Sequence, residues 1–424
     1  MKVMVFSHMH PQEDIDGTIL CAYHHALCLA KKGVETVLIG GRKHTGKQHA
    51  EMLEKIPGSP LTEFLIDIHA PATFSRTGLG WRVLHDRLDA CIKEFAPDIL
   101  HFHTIMPFGF EFINSGKHKA KRVLTLHNYT PLCANDACIH ADDGTPCNMA
   151  NASQCKRCFP QLSEEVFRNH RQLILENLEQ LDMLTTPGNF AKSIYMAAGI
   201  QAKKIRIIRN GTPIRPNTLA PRQRDGILRL AYIGRNSSIK GLNILLQALL
   251  LLPHKIRAEK KVRLSIFGPL NENDQPTFYN VLSSEYVQQV FSLLRPLKDI
   301  VTMQGKFNND ELPRLLHEID CLVMPSLWWE VTPNVIQEAF ACHRPVLCSD
   351  IGGMAEMVTD GIDGLHFELG NPHDLKDKIL SLLDNGNLLS ELTTNTPPPP
   401  SIDEMTKNYI SLYNELLNTR LKVA

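Results

Sequence analysis

Short apolar runs alternate with helix-patterned stretches along this chain, and the alternation starts twice. The first series begins with the apolar run at 3–6, and the second begins with LRLAYIG at Leu228. Strand, helix and strand in this order require right-handed crossovers and a parallel sheet. The 424 residues suffice for two such units, each with its own core. The sequence therefore predicts an α/β protein with two doubly wound, Rossmann-like domains.

The predicted boundaries follow segments rich in turn residues and proline. Asn210-Gly211-Thr212-Pro213 is a turn-forming tetrapeptide, and it separates an N-terminal domain, 1–211, from a C-terminal domain, 212–396. The run Pro397–Pro400 cannot lie inside a helix. We therefore expect a separate terminal helix at about 402–418, within the segment 401–424.

Charge and hydropathy exclude several classes of protein. Basic and acidic residues number 45 each, so the chain is not a polycation that binds nucleic acid by neutralising many phosphates. No run of 18 apolar residues occurs that could span a membrane. The opening residues carry no signal-peptide pattern, which predicts a cytoplasmic location and mostly reduced thiols.

Two cations follow the first strand of the second series. Gly234-Arg235 comes directly after LRLAYI, and Lys240-Gly241 precedes the next helical pattern. A flexible turn, two cations and a helix N-terminus make an anion site whose spacing suits a diphosphate. The alternative is a pair of solvated surface cations on a loop.

Two glutamates lie in the segment PSLWWEVTPNVIQEAF. Thr332 is a plausible N-cap and Pro333 a good first helical residue, which places Glu330 in the preceding loop and Glu338 one to two turns inside the helix. This spacing excludes a close carboxylate pair for acid/base work. It suits two carboxylates that each bind a separate hydroxyl-bearing part of one elongated ligand. The alternative is a pair of carboxylates favoured by the helix dipole, which fits Glu338 poorly because its neighbours are apolar.

Several histidines stand at predicted strand ends, and each is more often a structural residue than a catalyst: His8, His10, His101, His103 and His127. His127, at the end of RVLTLH, is the best candidate for catalysis. His101 and His103 share one face of a strand, as metal ligands can, but no third ligand stands at a regular spacing.

Five of the eleven cysteines crowd into 26 residues: Cys133, Cys138, Cys147, Cys155 and Cys158. The terminal CxxC and four available thiolates predict one structural zinc site in an otherwise long polar loop, 133–158. Disulfides and free thiols are the alternatives.

With these residues in view, the chain resembles the retaining glycosyltransferases of family 4, which have the GT-B fold. Three segments carry the resemblance: YIGRNSSIKG (232–241), VTMQGKFNNDELPRLLHEIDCLVMPS (301–326) and EVTPNVIQEAFACHRPVLCSDIGGMAEMVTDGIDG (330–364). The last contains an E-x7-E element and a downstream Asp-Ile-Gly-Gly. DILHFHT, TLHNY and IRIIRNG look like the corresponding strand ends of the N-terminal half. GTPCN followed by CKRC resembles a cysteine-bearing loop found in a subset of these sequences.

The resemblance implies roles for the residues of the donor side. Arg235 and Lys240 would bind the donor diphosphate, beside the turn at Gly234. Glu338 would hold the ribose hydroxyls, and Glu330 would contact the donor sugar near the reacting face.

The resemblance also implies roles for backbone groups and for the N-terminal half. The backbone at Thr332, Asn334 and Val335 would lie near the phosphates, and His127 would face the donor sugar. Gly17 matches a position where the backbone approaches donor and acceptor. Many relatives have two adjacent glycines there, whereas this chain has Asp16-Gly17-Thr18.

The implied activity is sugar transfer, with retention of configuration, from a UDP- or GDP-sugar to a hydroxyl on a glycan, a lipid-linked molecule or a protein. It belongs to polysaccharide, glycolipid or other glycoconjugate biosynthesis. No metal cofactor is needed at the phosphates if two cations neutralise them, and no nucleic-acid partner is expected. The terminal helix would pack on the N-terminal domain, and peripheral association with the inner face of a membrane fits a lipid-linked acceptor. The alternatives are an epimerase or hydrolase on the same scaffold and a non-catalytic nucleotide-sugar-binding protein.

Overall fold

The computed structural model describes residues 1–43, 54–55, 61–68, 80–116, 118–133, 138–140, 144–147, 151–214, 225–268 and 284–421. The chain divides into two compact units. The first comprises Met1–Asp136, Asn148–Pro213 and Pro400–Ala424, and the second comprises Ala137–Cys147 and Ile214–Pro399.

Strands of the first unit form one sheet, which alternates with helices along the chain. Its strands are β1 Lys2–Ser7, β2 Glu35–Lys43, β3 Glu54–Lys55, β4 Thr62–Ile68, β5 Ile99–Phe102, β6 Lys121–Thr125, β7 Met183–Thr186 and β8 Ile205–Ile207. Its helices before the second unit are α1 Gly17–Lys31, α2 Gly80–Phe95, α3 Gly109–Ile113, α4 Ala152–Cys158, α5 Glu164–Glu179 and α6 Asn189–Ala197. The strand order is β3-β4-β2-β1-β5-β6-β7-β8, and among the described strands the pairing is parallel except between β3 and β4.

Strands and helices of the second unit alternate in the same way. The strands are β9 Leu228–Ile233, β10 Val262–Phe267, β11 Val301–Gly305, β12 Cys321–Met324, β13 Val346–Ser349 and β14 Gly364–Phe367. The helices are α7 Leu242–Leu250, α8 His254–Ala258, α9 Ser284–Leu294, α10 Leu312–His317, α11 Asn334–Ala341, α12 Gly352–Met357, α13 Pro372–Asp384 and α14 Gly386–Thr394.

The order of the second sheet is β11-β10-β9-β12-β13-β14, and the pairs are parallel. The chain moves outward from β9 in one direction and then restarts at β12 in the other. Ligands of such sheets bind outside the carboxyl ends of the two strands at this switch point. Residues that follow β9 and β12 therefore occupy the favoured position for a site.

The terminal helix α15, Ile402–Leu421, belongs to the first unit. Its Tyr409 and Tyr413 are buried in one core with Ala22 and Leu29 of α1 and Val5 of β1. Within this unit a parallel β-bridge between Thr212 and Ser401 joins the end of the segment Asn148–Pro213 to the start of the segment Pro400–Ala424. Burial of these aromatic rings supplies much of the apolar contact that holds α15.

These observations confirm the predicted fold class, with a parallel sheet in each unit. None of the described helices is long and apolar enough to cross a membrane.

Candidate functional site

Lys240 stands at the switch point of the second sheet, on a short turn between β9 and α7. It closes a 3₁₀ turn, Ser238–Lys240, and the next residue, Gly241, has φ +70°. A Cβ at Gly241 would lie 1.8 Å from the Pro325 carbonyl oxygen, so only glycine allows this approach to the chain after β12. Leu327 N–H donates to the Ile239 carbonyl at 2.7 Å. The turn that carries Lys240 is thus fixed against the end of the neighbouring strand.

Lys240 forms an ion pair with Glu330. Its Nζ lies 2.5 Å from Glu330 Oε1, and the Ser326 hydroxyl donates to the same oxygen at 2.9 Å. The ammonium also lies 5.1 Å from the centre of the Trp328 ring. Glu330 is only 5% exposed, and a carboxylate this buried requires partners. The sequence predicted both residues in the site but did not predict that they pair.

The loop that carries Glu330 is held by the Asp-Ile-Gly-Gly element. Gly353 N–H donates to the Glu330 carbonyl at 2.7 Å. A Cβ on Gly353 would lie 1.9 Å from the Val331 carbonyl oxygen. Backbone atoms of Glu330 and Val331 leave no room for a side chain at Gly353, so this glycine sets the position of the Glu330 loop.

We expect Gly353→Ala to displace this loop and to lower the free energy of unfolding by about 3 kcal/mol, as overpacking against backbone does. Gly361→Ala is the control, because its Cβ would meet no atom within 4 Å and tests only the cost of φ +73°. Chemical denaturation measures both variants. An equally small decrease in the free energy of unfolding for the two variants would show that the Glu330 loop does not depend on this contact.

Glu338 lies one turn inside α11. The structure places the N-cap at Pro333, with the helix starting at Asn334, so the prediction of Thr332 as N-cap and Pro333 as first helical residue was wrong by one position. Pro333 has an extended ψ of 117°, which is incompatible with helical geometry. Thr332 lies in the preceding loop, and Asn334 and Val335 form the first turn.

The Glu338 carboxyl is half-buried, and burial raises its pKa to about 7. Among the described residues, no hydrogen bond or ion pair engages this carboxyl. Ile336, Ala339 and Phe340 on the same helix are buried in the core, which fixes the position of Glu338. A carboxyl of this kind gains most from a ligand that brings hydroxyl donors.

Gly234 and Arg235 directly follow β9. Gly234 N–H donates to the Phe267 carbonyl at 3.1 Å, and the Tyr232 hydroxyl donates to the Arg235 carbonyl at 3.1 Å. A Cβ on Gly268 would lie 1.9 Å from the Gly234 carbonyl oxygen. The backbone after β9 is therefore closely fixed, and Arg235 is half-buried on the same connection that carries Lys240.

In the first unit, His127 follows β6, and its Nε2 shares a hydrogen bond of 2.9 Å with His103 Nδ1. Gly17 is the first residue of α1, which Asp16 caps by accepting from Ile19 N–H at 2.8 Å. Asp16 also contacts His8 Nε2 at 3.1 Å. The capping role of Asp16 gives a physical reason for an acidic residue before Gly17.

In the structure a third imidazole lies near the HxH pair of His101 and His103. His25, from α1, brings a ring nitrogen within 4.8 Å of nitrogens on His101 and His103, so a third imidazole is present. Cys21, His103 and His127 form a second such group. No regular spacing in the sequence indicated His25, because α1 packs on the sheet and brings together residues that are distant along the chain.

Of the five clustered cysteines, Cys133, Cys138 and Cys147 are buried, whereas Cys155 and Cys158 are half-buried. Cys147 N–H donates to the Cys138 carbonyl at 2.7 Å, beside an antiparallel bridge between Ile139 and Pro146. Cys155 and Cys158 lie three residues apart on α4. Within the described part of the chain, the groups of three close metal-ligating side chains include none of the five.

The zinc site remains a prediction with a direct test. Metal analysis of protein purified without chelator should find about one zinc per chain, because structural zinc sites use four ligands. Cys155→Ser should lower this occupancy and increase cleavage of the loop by protease. Metal-free protein with five thiols that react freely in the native state would contradict the prediction.

Comparison with known proteins assigns both halves of the chain. Residues 15–215 match the model of Glycosyltransferase Family 4, and residues 221–397 match that of Glycosyl transferases group 1. The chain is 28% identical to glycogen synthase of Mycobacterium tuberculosis over 395 residues, which cover 91% of this chain and 86% of the relative. It is 38% identical over 95 residues to an uncharacterized glycosyltransferase, MJ1178, of Methanocaldococcus jannaschii, covering 22% of this chain and 27% of that protein. The chain spans about half the length or less of several curated relatives that it matches.

The fold has solved counterparts. Anabaena Alr3699/HepE, determined in complex with UDP and glucose, superposes with a TM-score of 0.67 at 15% identity, over 98% of this chain and 99% of that chain. At this identity the likeness concerns the fold, and it is that of GT-B glycosyltransferases. Since family models match residues 15–215 and 221–397, the chain belongs to the family 4-like, group 1 glycosyltransferase family and has the GT-B fold.

Proposed function

We propose that this protein transfers a glycosyl group from a nucleoside diphosphate sugar to a hydroxyl acceptor with retention of anomeric configuration. The observation that carries the proposal is the pairing of Lys240 with Glu330 at the switch point of the second sheet. A half-buried cation after β9 and a buried carboxylate after β12, on two connections held against each other, can serve a leaving diphosphate and a reacting sugar. The family match supports the same class of reaction.

The diphosphate is proposed to bind the cations that follow β9. Lys240 is neutralised by Glu330 in the free protein, so an incoming diphosphate shares or replaces this contact. Arg235, on the same connection, adds a second positive charge. Charge-assisted hydrogen bonds of this kind are the strong ones and stabilise the charge that develops as the diphosphate leaves. Two cations supply this stabilisation without a metal cofactor.

The nucleoside is proposed to bind through its ribose hydroxyls at Glu338. These hydroxyls would donate to a carboxyl that otherwise lacks a partner among the described residues. Backbone N–H groups at Asn334 and Val335, in the first turn of α11, add favourable dipoles near the phosphates. The backbone of Thr332, in the loop before α11, is also proposed to lie near the phosphates.

In the reaction, the bond between the anomeric carbon and the phosphate oxygen breaks, and the acceptor oxygen bonds to the same carbon on the same face. The acceptor proton passes to the departing phosphate oxygen, so atoms and charge balance. Glu330 is proposed to orient the sugar hydroxyls as positive charge develops on the ring. His127 and the backbone at Gly17 are the proposed contributions of the first unit.

Uridine and guanosine diphosphate sugars are the proposed donors. The Anabaena counterpart was solved with UDP and glucose, which favours uridine first. A glycan, a lipid-linked molecule or a protein is the proposed acceptor, in glycoconjugate biosynthesis. We propose a cytoplasmic location with peripheral membrane association where the acceptor is lipid-linked.

The test begins with a thermal-shift screen against nucleotide sugars, since a ligand that binds only the native state raises the melting temperature. The selected donor is then incubated with and without a mixed pool of glycan and lipid acceptors. We expect nucleoside diphosphate release to depend on the acceptor, and NMR of the product should show the donor's anomeric configuration. Rapid release without an acceptor would indicate a hydrolase, and an isomerised donor would indicate an epimerase. Donor binding without any conversion would indicate a non-catalytic protein.

A further inference from the structure

A row of rings joined by hydrogen bonds runs through the first unit, and all of them except the half-buried His127 are buried. His127 Nε2 lies 2.9 Å from His103 Nδ1, and His103 Nε2 lies 3.2 Å from His25 Nδ1. The Tyr413 hydroxyl lies 3.4 Å from His25 Nε2 and 2.6 Å from His101 Nδ1. We call these five residues, from His127 to His101, the histidine row. It connects the proposed catalytic histidine to the terminal helix.

The far end of the row is also closed by a hydroxyl. His101 Nε2 lies 2.7 Å from Thr125 Oγ1, which in turn contacts Thr185 Oγ1 at 2.7 Å. His25, His101 and His103 are at most 1% exposed. Water therefore cannot replace a partner within the row, and every member depends on its neighbours.

The rings in the row are neutral near neutral pH. Burial lowers the pKa of His25 to about 3 and that of His127 to about 4, and it holds the pKa values of His101 and His103 well below their usual range. A neutral imidazole has one N–H donor and one acceptor nitrogen. Each ring in the row must therefore donate in one direction and accept from the other.

This requirement couples the tautomers. If His127 donates from Nε2, His103 must accept at Nδ1 and donate from Nε2 to His25, which then donates to Tyr413. If Tyr413 instead donates to His25, the order reverses, and His103 Nδ1–H donates to His127 Nε2. The first arrangement leaves His127 Nδ1 as an acceptor, and the second makes it a donor.

We propose that the histidine row sets the tautomer of His127, so that Tyr413 on α15 helps to decide whether His127 Nδ1 accepts or donates a hydrogen bond. His127 lines a surface cavity with Thr104, Asn128 and Thr130, and no hydrogen bond engages its Nδ1 among the described residues. A sugar hydroxyl there could meet either tautomer. This last step rests on the proposed function, whereas the row itself does not.

Geometry favours hydrogen bonding over a metal ion for this row. His101 has both ring nitrogens within 2.7 Å of hydroxyl oxygens, so it has no nitrogen left to bind an ion. Only His25 and His103 would remain, and two ligands do not make a stable site. The second group uses Cys21, whose pKa burial raises to about 12, and whose thiol lies 3.3 Å from Asn210 Oδ1.

The test is 15N NMR of the full chain labelled at histidine, without substrate. Tyr413→Phe removes the hydroxyl that joins His25 to His101 and keeps the buried ring. Tyr409→Phe is the comparison on the same helix, because the Tyr409 hydroxyl contacts Thr125 at 3.0 Å, one hydrogen bond beyond His101, while its ring stacks on His25. We expect Tyr413→Phe to change the tautomer ratio of His127 at least twofold, and Tyr409→Phe, which keeps the hydroxyl between His25 and His101, to change it less.

A second variant keeps the test decisive if Tyr413→Phe does not fold. His25→Asn retains an amide near the Nδ1 position, facing His103, and removes the link to Tyr413, so we expect the same change at His127. An unchanged His127 ratio in folded Tyr413→Phe or His25→Asn would overturn the proposal. So would one metal ion per chain that His25→Asn removes. Because the readout needs no donor, failure of the proposed activity would not affect it.

Discussion

Glu330→Gln should reduce turnover by about 100-fold while nucleoside diphosphate binding stays the same or tightens a few-fold. Turnover falls because an oriented carboxylate that stabilises developing positive charge is typically worth about this factor. Binding does not fall, because the substitution removes the negative partner that lies 2.5 Å from Lys240 Nζ and leaves the ammonium for the phosphates. Calorimetric titration with the diphosphate and steady-state kinetics measure the two quantities separately.

Glu391→Gln is the control for this prediction, because it removes an exposed carboxylate on α14 of the same unit. It should leave both quantities unchanged. A Glu330→Gln variant that loses diphosphate affinity and turnover in the same proportion would show that Glu330 positions the binding turn and does not act on the sugar.

Glu338→Gln should abolish a pH dependence of donor binding and stability. The pKa of Glu338 is about 7 in the folded protein, above the ordinary value of 4.5, because burial disfavours its charged form. Between these pH values the folded state holds a proton that the unfolded state has released, so the free energy of unfolding falls as pH rises from about 4.5 to 7. Above pH 7 the buried charged carboxylate lowers the free energy of unfolding by about 3 kcal/mol. Glu338→Gln should remove this loss.

Donor binding should change in the opposite direction. Ribose hydroxyls favour the carboxylate, so donor affinity should rise between pH 5 and 7 and then level off, by up to about 100-fold for two pH units. A nucleotide sugar is the right ligand, since its esterified diphosphate does not titrate in this range. Glu338→Gln should bind weakly and show a flat profile. A steep profile in this variant would assign the titration to another group.

Much of the fold was predictable because it depends on local patterns. The apolar runs of β1 and β9 and the restart at Leu228 predict two parallel sheets, and the structure has them. The end of β12 was also readable, because Glu330 follows an apolar strand and precedes Pro333. Such features lie within a few residues of each other in sequence.

The rest depends on contacts between distant segments. The pairing of Lys240 with Glu330 joins residues 90 positions apart and needs the strand order at the switch point. His25 lies next to His101 and His103 because α1 packs on the first sheet, and no spacing in the sequence predicts this contact. The Pro333 cap was missed because proline is favoured at the first helical position, whereas here it stands one residue earlier. In each case tertiary packing decided between local alternatives.

The central claim is that the two cations after β9 hold the diphosphate of a sugar donor, and binding to a double variant tests it most directly. Arg235→Met with Lys240→Met removes both charges, and Lys255→Met removes an exposed lysine of the same unit as a control. Each lost charge-assisted contact costs about 1.5–3 kcal/mol, so the double variant should bind the donor at least about 100-fold more weakly than the parent. The control should bind as the parent does. A folded double variant with unchanged donor affinity would contradict the account and place the diphosphate elsewhere.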